Sequence, residues 1–283
     1  MSQRIRVKEA TPLFEFLLRS LHGWSRTKVK QRMTSGRVLV NGAPVKHFAH
    51  ELQPDDEVEV HAMGQKPRDG ARTLKVLYNE NGLVAVNKPA GLLSVASAKE
   101  GEAHALAIVR AQLSHPNRPA TLWPIFRVDK DASGVLLFAT SRELRSEVAS
   151  TWRDVKRTTM AIVEGIPDQE TGRIDQPIGM DKAGFRALVG RHPEAKPAIT
   201  HYERVEVGEN RSLLSLSLNA GRQHQVRAHL AWLGFPVVGD SRYGKGGGRM
   251  GLHAQALEVV CPRTGSPLKF EAPVPRGFSV LLK

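Results

Sequence analysis

Hydrophobic positions along this 283-residue chain change their spacing several times. Between Ser25 and Gly36, Val29 and Met33 lie four apart on one face, which predicts a short helix with that face buried. Ser25 is the predicted N-cap and Gly36 the left-handed residue past its end. "VLVNG" then reads as a short strand meeting an Asn41-Gly42 hairpin turn. From Leu74 onward the chain reads as a long mixture of strands and helices. "VLYNENGLVAVNKPAGLLS" (76–94) predicts two strands around Asn81-Gly82, then a loop at Lys88-Pro89-Ala90-Gly91. "VLLFA" (135–139) is a continuous apolar run, a buried strand, and "TTMAIVEG" (158–165) is a strand ending in a turn. In "SLLSLSLNAGRQHQVRAHLAWLGFP" (212–236), Leu214, Leu216 and Leu218 alternate with Ser215 and Ser217, the period of a half-buried strand. Asn219-Ala220-Gly221 turns the chain. Arg222 to Leu233 then takes helical spacing, with Val226, Leu230 and Leu233 on one face, Gln223 and Arg227 on a neighbouring stripe, and Gly234 at the stop.

Composition narrows the class. The chain can form one large or two smaller domains with a real core. Residues 1–63 read as a small domain, 64–73 as a polar linker with Gly and Pro, and 74–283 as the main domain. No apolar run approaches a bilayer span, the N-terminus lacks the apolar centre of a signal peptide, and the single Cys261 suits a reducing cytoplasm. The net charge of +13 favours a polyanionic partner, with nucleic acid the first expectation. Within residues 1–63 the basic residues gather between Arg19 and Lys46, and the acidic ones near Glu51–Glu59.

That segregation bears on the first predicted helix. Arg26 and Lys30, and likewise Lys28 and Arg32, are like-charged pairs four apart, which repel. Such a helix either faces phosphates or presents an ordinary solvated basic face. In the main domain, "RVDKDASGVLLFAT" (127–140) sets Asp129 between Arg127 and Lys130 ahead of a buried strand. The stretch is either a charged turn or a carboxylate nucleophile kept ionised by arginine. The Gly221–helix junction, with Arg222, His224 and Arg227, offers amides and cations to an anion, or is an amphipathic helix with a basic outer face. Lys88 either approaches a phosphate or is a surface lysine beside a turn. No zinc-type Cys/His spacing, phosphate-binding G-x-x-x-x-G-K-[ST] loop or G-x-S-x-G elbow occurs, so no metal is expected.

The stretch "SR…V…RMTSGRVLVNG", with Arg26, Lys30, Gly36, Val38, Val40, Asn41 and Gly42, resembles the S4 RNA-binding module over roughly residues 11–60. The resemblance implies binding to structured RNA through the helix, with Lys28, Arg32 and Arg37 beside them, and through the hairpin. Five segments in order resemble the RluA-type family of RNA pseudouridine synthases: "NKPAGLL" (87–93), "RVDKDASGVLLFA" (127–139), "AIVEG" (161–165), "GRQHQVRAHLAWLGFPVVGDSRYG" (221–244) and "GLHAQAL" (251–257). The resemblance implies an α+β catalytic domain, with a mixed, mainly antiparallel sheet and a central cleft, behind a small S4-like α/β domain. It implies isomerisation of uridine to pseudouridine without cofactor or metal. Asp129 falls on the catalytic aspartate of the family, Arg127 on the motif arginine and Arg227 on the arginine that pairs with the aspartate. Lys88, Arg222 and His224 join the expected RNA contacts. Ribosomal RNA is the expected substrate, with tRNA the other candidate, acted on by a cytoplasmic monomer.

The match departs from the family pattern in the pocket. Phe126 stands where a histidine is usual, Ala132 where a threonine is usual, and Thr159 where the family places a tyrosine thought to stack on the uracil. Tyr78, Tyr202 and Tyr243 are the only tyrosines, and none falls there. Two readings therefore stand: an active synthase with an atypical pocket, or an RNA-binding protein on the same scaffold with weak or no catalysis.

Overall fold

The computed structural model describes every residue except 1–2, 41–42, 46, 53, 62–72, 97–102, 116, 153–154, 182–184, 193, 219–220 and 276. The chain divides into two compact units, residues 1–72 and 73–283. Apart from Thr73, the expected linker lies outside the described residues.

The first unit packs the helices Leu13–Ser20 and Arg26–Thr34 against a four-stranded sheet in the order Gln3–Arg6, Glu57–Val60, Val38–Val40, Ala43–Pro44. The Ser25 hydroxyl accepts the Lys28 amide at 3.2 Å, capping the second helix. Gly36, at φ 67°, ends it: the Arg37 amide donates to the Arg32 carbonyl at 2.9 Å and the Gly36 amide to the Met33 carbonyl at 3.0 Å. Val29 and Met33 are buried in a core with Leu13, Leu17, Val38 and Val58. The Asn41-Gly42 turn lies outside the described residues, though Val40 pairs with Ala43 across it.

One expectation for this helix needs correcting. Arg26, Lys28 and Lys30 are exposed, but Arg32 is buried. It sits next to Met33 on the core side of the last turn, with its guanidinium 5.2 Å from the Trp24 ring centre. Lys28 lies 4.3 Å from the same ring, and Arg26 and Lys30 lie 5.5 and 5.9 Å from that of Phe14. Each like-charged pair thus shares one aromatic face, whose negative quadrupole offsets the repulsion.

The second unit is built on one mixed sheet. Eight strands follow in the order Thr171–Asp175, Ile199–Val207, Arg211–Leu218, Lys156–Glu164, Leu252–Val260, Ser133–Ala139, Leu83–Lys88, Lys75–Glu80. Pro267–Glu271 adds to Leu252–Val260, and Trp123–Pro124 to Ser133–Ala139. Every pairing is antiparallel except that of Ser133–Ala139 with Leu252–Val260. That parallel pairing has only two residue pairs, Ser133 with His253 and Gly134 with Ala254. The two halves of the sheet are therefore joined at one end and part beyond it. The join depends on Gly134: at φ 118°, a Cβ there would fall 2.1 Å from the Ala254 carbonyl oxygen.

The turn predicted at Asn81-Gly82 is present, with φ 51° and 77°, the left-handed pair of a two-residue hairpin. Ser133–Ala139 is buried at every position, and Arg211–Leu218 alternates as expected. The helix after Gly221 is shorter than its spacing suggested. It runs Gln225–Trp232, and Gln223 precedes it, so Gln223 and Arg227 share no helical stripe. Its first six residues are all buried, so it has no solvated basic face.

Candidate active site

Asp129 lies on an eight-residue connection, 125–132, between the strands Trp123–Pro124 and Ser133–Ala139. Two buried groups fix that connection. The Ser94 hydroxyl donates to the Val128 carbonyl at 2.6 Å and accepts its amide at 3.0 Å. The Lys88 ammonium is fully enclosed and donates to the carbonyls of Ala132 at 2.6 Å, Leu92 at 2.8 Å, Pro89 at 3.0 Å and Lys130 at 3.1 Å. Burial pulls its pKa down to about 8, with Asp129 and Asp131 raising it in part. At neutral pH it remains mostly charged, as four converging carbonyls require. Lys88 is therefore no phosphate contact, correcting the expectation for that residue. Its three donors are committed to tying the "NKPAGLL" loop to the connection that carries Asp129.

The helix Gln225–Trp232 brings Arg227 to Asp129 across 98 positions of sequence, with Nη1 donating to Oδ2 at 2.9 Å. The rest of the guanidinium is held by Asp240, which has no exposed surface: Nε donates to Oδ2 and Nη2 to Oδ1, both at 2.7 Å. This two-pronged grip fixes the guanidinium plane and leaves Nη1 aimed at Asp129. Burial works against the charge on Arg227, but its hydrogen bonds to Asp240 and the charge and hydrogen bond of Asp129 outweigh it and raise the pKa. Asp240 shows the same balance. Burial pushes its carboxyl up, while Arg227 and the amides of Arg242 (2.9 Å) and Tyr243 (3.1 Å) bring it below the usual carboxylate range.

His224 caps this helix in the left-handed region, φ 56°, a conformation that histidine, with asparagine and aspartate, adopts more readily than most side chains. Its Nε2 faces Asp129 Oδ1 at 3.9 Å, too long for a hydrogen bond. Its Nδ1 meets the Tyr243 hydroxyl at 3.0 Å, and that oxygen accepts the Ala187 amide at 2.6 Å. Burial holds the His224 pKa below its ordinary value, with Asp129 opposing that shift. Tyr243 stacks behind the pair, its ring centre 5.1 Å from the Arg227 guanidinium.

Asp129, His224 and Arg227 border a cavity of about 550 Å³, with Arg127, Arg157, Thr159, Arg222 and Leu252 also on its wall. Arg127 is exposed at the rim, and Arg222, also exposed, points its guanidinium towards the Pro197 carbonyl at 3.4 Å. Thr159 is buried in the wall where the strand Lys156–Glu164 slips register against Leu252–Val260. A side chain at this position does face the cavity, and here it is a threonine. Sequence reasoning missed Asp240, Tyr243 and Arg157. "GDSRYG" pointed at the first two as a motif, but nothing local in it shows which carboxylate closes on Arg227. Among the described residues, no three His, Cys, Asp or Glu side chains group as a metal ion needs, and no helix is long and apolar enough to cross a membrane.

An open, mainly antiparallel sheet with a carboxylate held by arginine in its cleft is the class of site that fold and geometry define. Comparison with known proteins makes the assignment specific. Residues 82–232 match the RNA pseudouridylate synthase family and residues 11–58 the S4 domain. An RNA pseudouridine synthase of Bacillus subtilis, YlyB, whose own role is uncharacterised, is 31% identical over 95% of this chain and 92% of its own. The ribosomal large subunit pseudouridine synthase D of Vibrio cholerae is 30% identical over 89% of this chain and 84% of its own. The human RNA pseudouridylate synthase domain containing 1 shares the fold, with a TM-score of 0.62, 21% identity, and 75% and 88% of the two chains covered. The chain belongs to the RNA pseudouridylate synthase family and carries an S4 domain. It is an isomerase that converts uridine in RNA to pseudouridine. The alternative of a non-catalytic RNA-binding protein finds no support.

Proposed function

We propose that Asp129 is the nucleophile of this isomerisation and that the substrate is ribosomal RNA. In the reaction the N1–C1′ bond of uridine breaks, a C5–C1′ bond forms, C5 loses a proton and N1 gains one. Atoms and electrons balance within the nucleotide, so the chemistry asks for positioning and a nucleophile and for no redox partner. Asp129 attacks the uridine, at ribose C1′ or at uracil C6, and the freed base turns before rejoining. The observation that carries this reading is the 2.9 Å contact of Arg227 Nη1 with Asp129 Oδ2, from a guanidinium already clamped by buried Asp240. That arrangement sets a guanidinium on one carboxylate oxygen and aims the group into the cavity, while its second oxygen is free to attack. The target uridine must leave its stack to reach it. Arg127 and Arg222 at the rim, and Arg26, Lys28 and Lys30 on the S4 helix, then hold the RNA backbone. Arg37, half-buried just past the end of that helix, joins them. The ribosomal assignment is supported by the relatives named as ribosomal large-subunit synthases, from Vibrio cholerae and Nitrosomonas europaea. We take the protein to act as a cytoplasmic monomer.

The test is a base-resolution map of pseudouridine in total RNA from cells with the gene intact, deleted, or carrying Asp129→Asn. A ribosomal site lost equally in the last two supports both parts of the reading. Retention of the site in Asp129→Asn cells refutes the nucleophile, and loss of a site in another RNA class refutes the substrate.

A further inference from the structure

Two arginines on the cavity wall differ in one respect. Arg227 is bound by two carboxylates, whereas Arg157, half-buried on the same wall, has no carboxylate partner among the described residues. Its Nη2 donates to the Leu218 carbonyl at 3.1 Å, and its guanidinium lies 5.3 Å from the Trp152 ring centre. Its Nε is buried with no acceptor among the described residues. Burial pulls the guanidinium below its ordinary pKa. The backbone makes room for this placement. Gly221, at φ 71°, lies where a Cβ would stand 1.9 Å from Arg157 Nη1, so any side chain there would displace the guanidinium. Removing a cation from water without pairing it is costly, and a site that keeps one in this state is built for an anion that arrives later.

We propose that Arg157 is a phosphate subsite of the cavity: its guanidinium receives a phosphodiester of the RNA strand next to the uridine being isomerised, over the Trp152 ring and beside Gly221. This rests on the uridine-isomerising site described above, but not on Asp129 being its nucleophile. Arg157 takes no part in bond making. It is a binding residue, and it pulls the flanking backbone to the wall from which Thr159 also faces the base. A guanidinium suits the task because Nη1 can donate to a phosphate oxygen while Nη2 keeps the Leu218 carbonyl and the planar group stays over the indole.

The experiment measures tritium release from C5, using total RNA labelled with [5-³H]uridine from cells lacking this gene, over a series of KCl concentrations. For Arg157→Gln the expected result is a KM raised about 10- to 100-fold, as befits one charged hydrogen-bonded contact, with kcat within a few-fold of the parent. The slope of log(kcat/KM) against log[KCl] becomes shallower by about one, the value of one lost phosphate contact. Arg157→Lys keeps the charge and recovers most of the slope. An unchanged slope in Arg157→Gln, or a loss confined to kcat, overturns the proposal. The unaltered protein provides a measurement that does not depend on any variant folding. Uridine 3′- or 5′-monophosphate binds more tightly than uridine, and the gap closes with salt; equal affinities for all three overturn the proposal. Asp129→Asn run alongside separates the two readings. If it releases no tritium while Arg157→Gln keeps the parental slope, only the phosphate subsite has failed.

Discussion

Cations are used in opposite ways in the two units. In the catalytic unit Arg227 is almost fully removed from water, and both its neighbours are carboxylates at 2.7–2.9 Å. In the S4 unit Arg26, Lys28 and Lys30 stand in solvent on one helix, against Phe14 and Trp24. A buried, paired cation contributes little field beyond its partners, but it fixes where a carboxylate points. An exposed row without carboxylates fixes nothing so closely, yet its field reaches a polyanion before contact. Geometry for chemistry and attraction for RNA therefore come from the same residue types, sorted by burial.

The comparison breaks most sharply at Asp240. Replacing it with Asn removes the buried, charged half of the two-pronged grip and leaves the Arg227 guanidinium only the partly exposed Asp129 as a carboxylate partner. Stability should fall by about 3–5 kcal/mol, the usual cost of breaking a buried ion pair from one side. The surviving folded enzyme should lose at least about 100-fold in kcat, because Nη1 is no longer held on Asp129. Urea denaturation and the tritium-release rate measure the two effects separately, and an Asp240→Asn enzyme with parental kcat would show that the clamp is not what aims Arg227.

Acid should sharpen the contrast at a smaller scale. His104, His224, His229 and His253 all lie in the larger unit, and burial lowers each pKa from its usual 6.5. Below about pH 6.5 the unfolded chain therefore binds protons that the folded chain refuses, so stability falls as the pH is lowered. His229 and His253 are fully buried. Each sits between a hydroxyl, at 2.8 Å, and a carbonyl, at 3.0–3.1 Å, an arrangement that suits the neutral ring. Thermal melts at pH 7, 6 and 5 should show a falling Tm, with less fall in a His253→Gln variant. A Tm independent of pH over that range would contradict the neutral assignment.

The smallest effect on folding is expected where the cations are exposed. Arg26→Gln with Lys30→Gln should leave stability within about 0.5 kcal/mol of the parent. It should weaken RNA binding nonetheless and flatten the salt dependence by about 0.7–0.9 per lost phosphate contact. Filter binding to total RNA at several salt concentrations reads this directly. A large loss of stability would mean that stacking on Phe14 holds the unit together and that the row is structural.

Much of the secondary structure was legible because it is decided locally. Ser25 and Gly36 bound a helix and Asn81-Gly82 turns a hairpin through contacts within a few residues, and the alternating leucines at 214–218 mark a half-buried strand by their period alone. Local rules erred where tertiary packing decides. Arg32 follows the charged period of its helix but is covered by Trp24, and Lys88, beside a proline-glycine turn, looks like a surface lysine. Helical spacing extended back to Arg222, whereas the left-handed His224 starts the helix at Gln225.

By itself the sequence determined the order of the elements, the family to which they belong, and Asp129 as a carboxylate before a buried strand. Those features lie in short-range patterns and in motifs read along one line. Only the tertiary structure decided which charges meet. Arg227 faces Asp129 and Asp240, Lys88 gathers carbonyls from two stretches of chain, and Arg157 is left with a wall position and no carboxylate among the described residues. The physical reason is that burial and pairing depend on separations in space, and a sheet joined by two residue pairs at Gly134 and Ala254 sets those separations across more than a hundred residues of sequence.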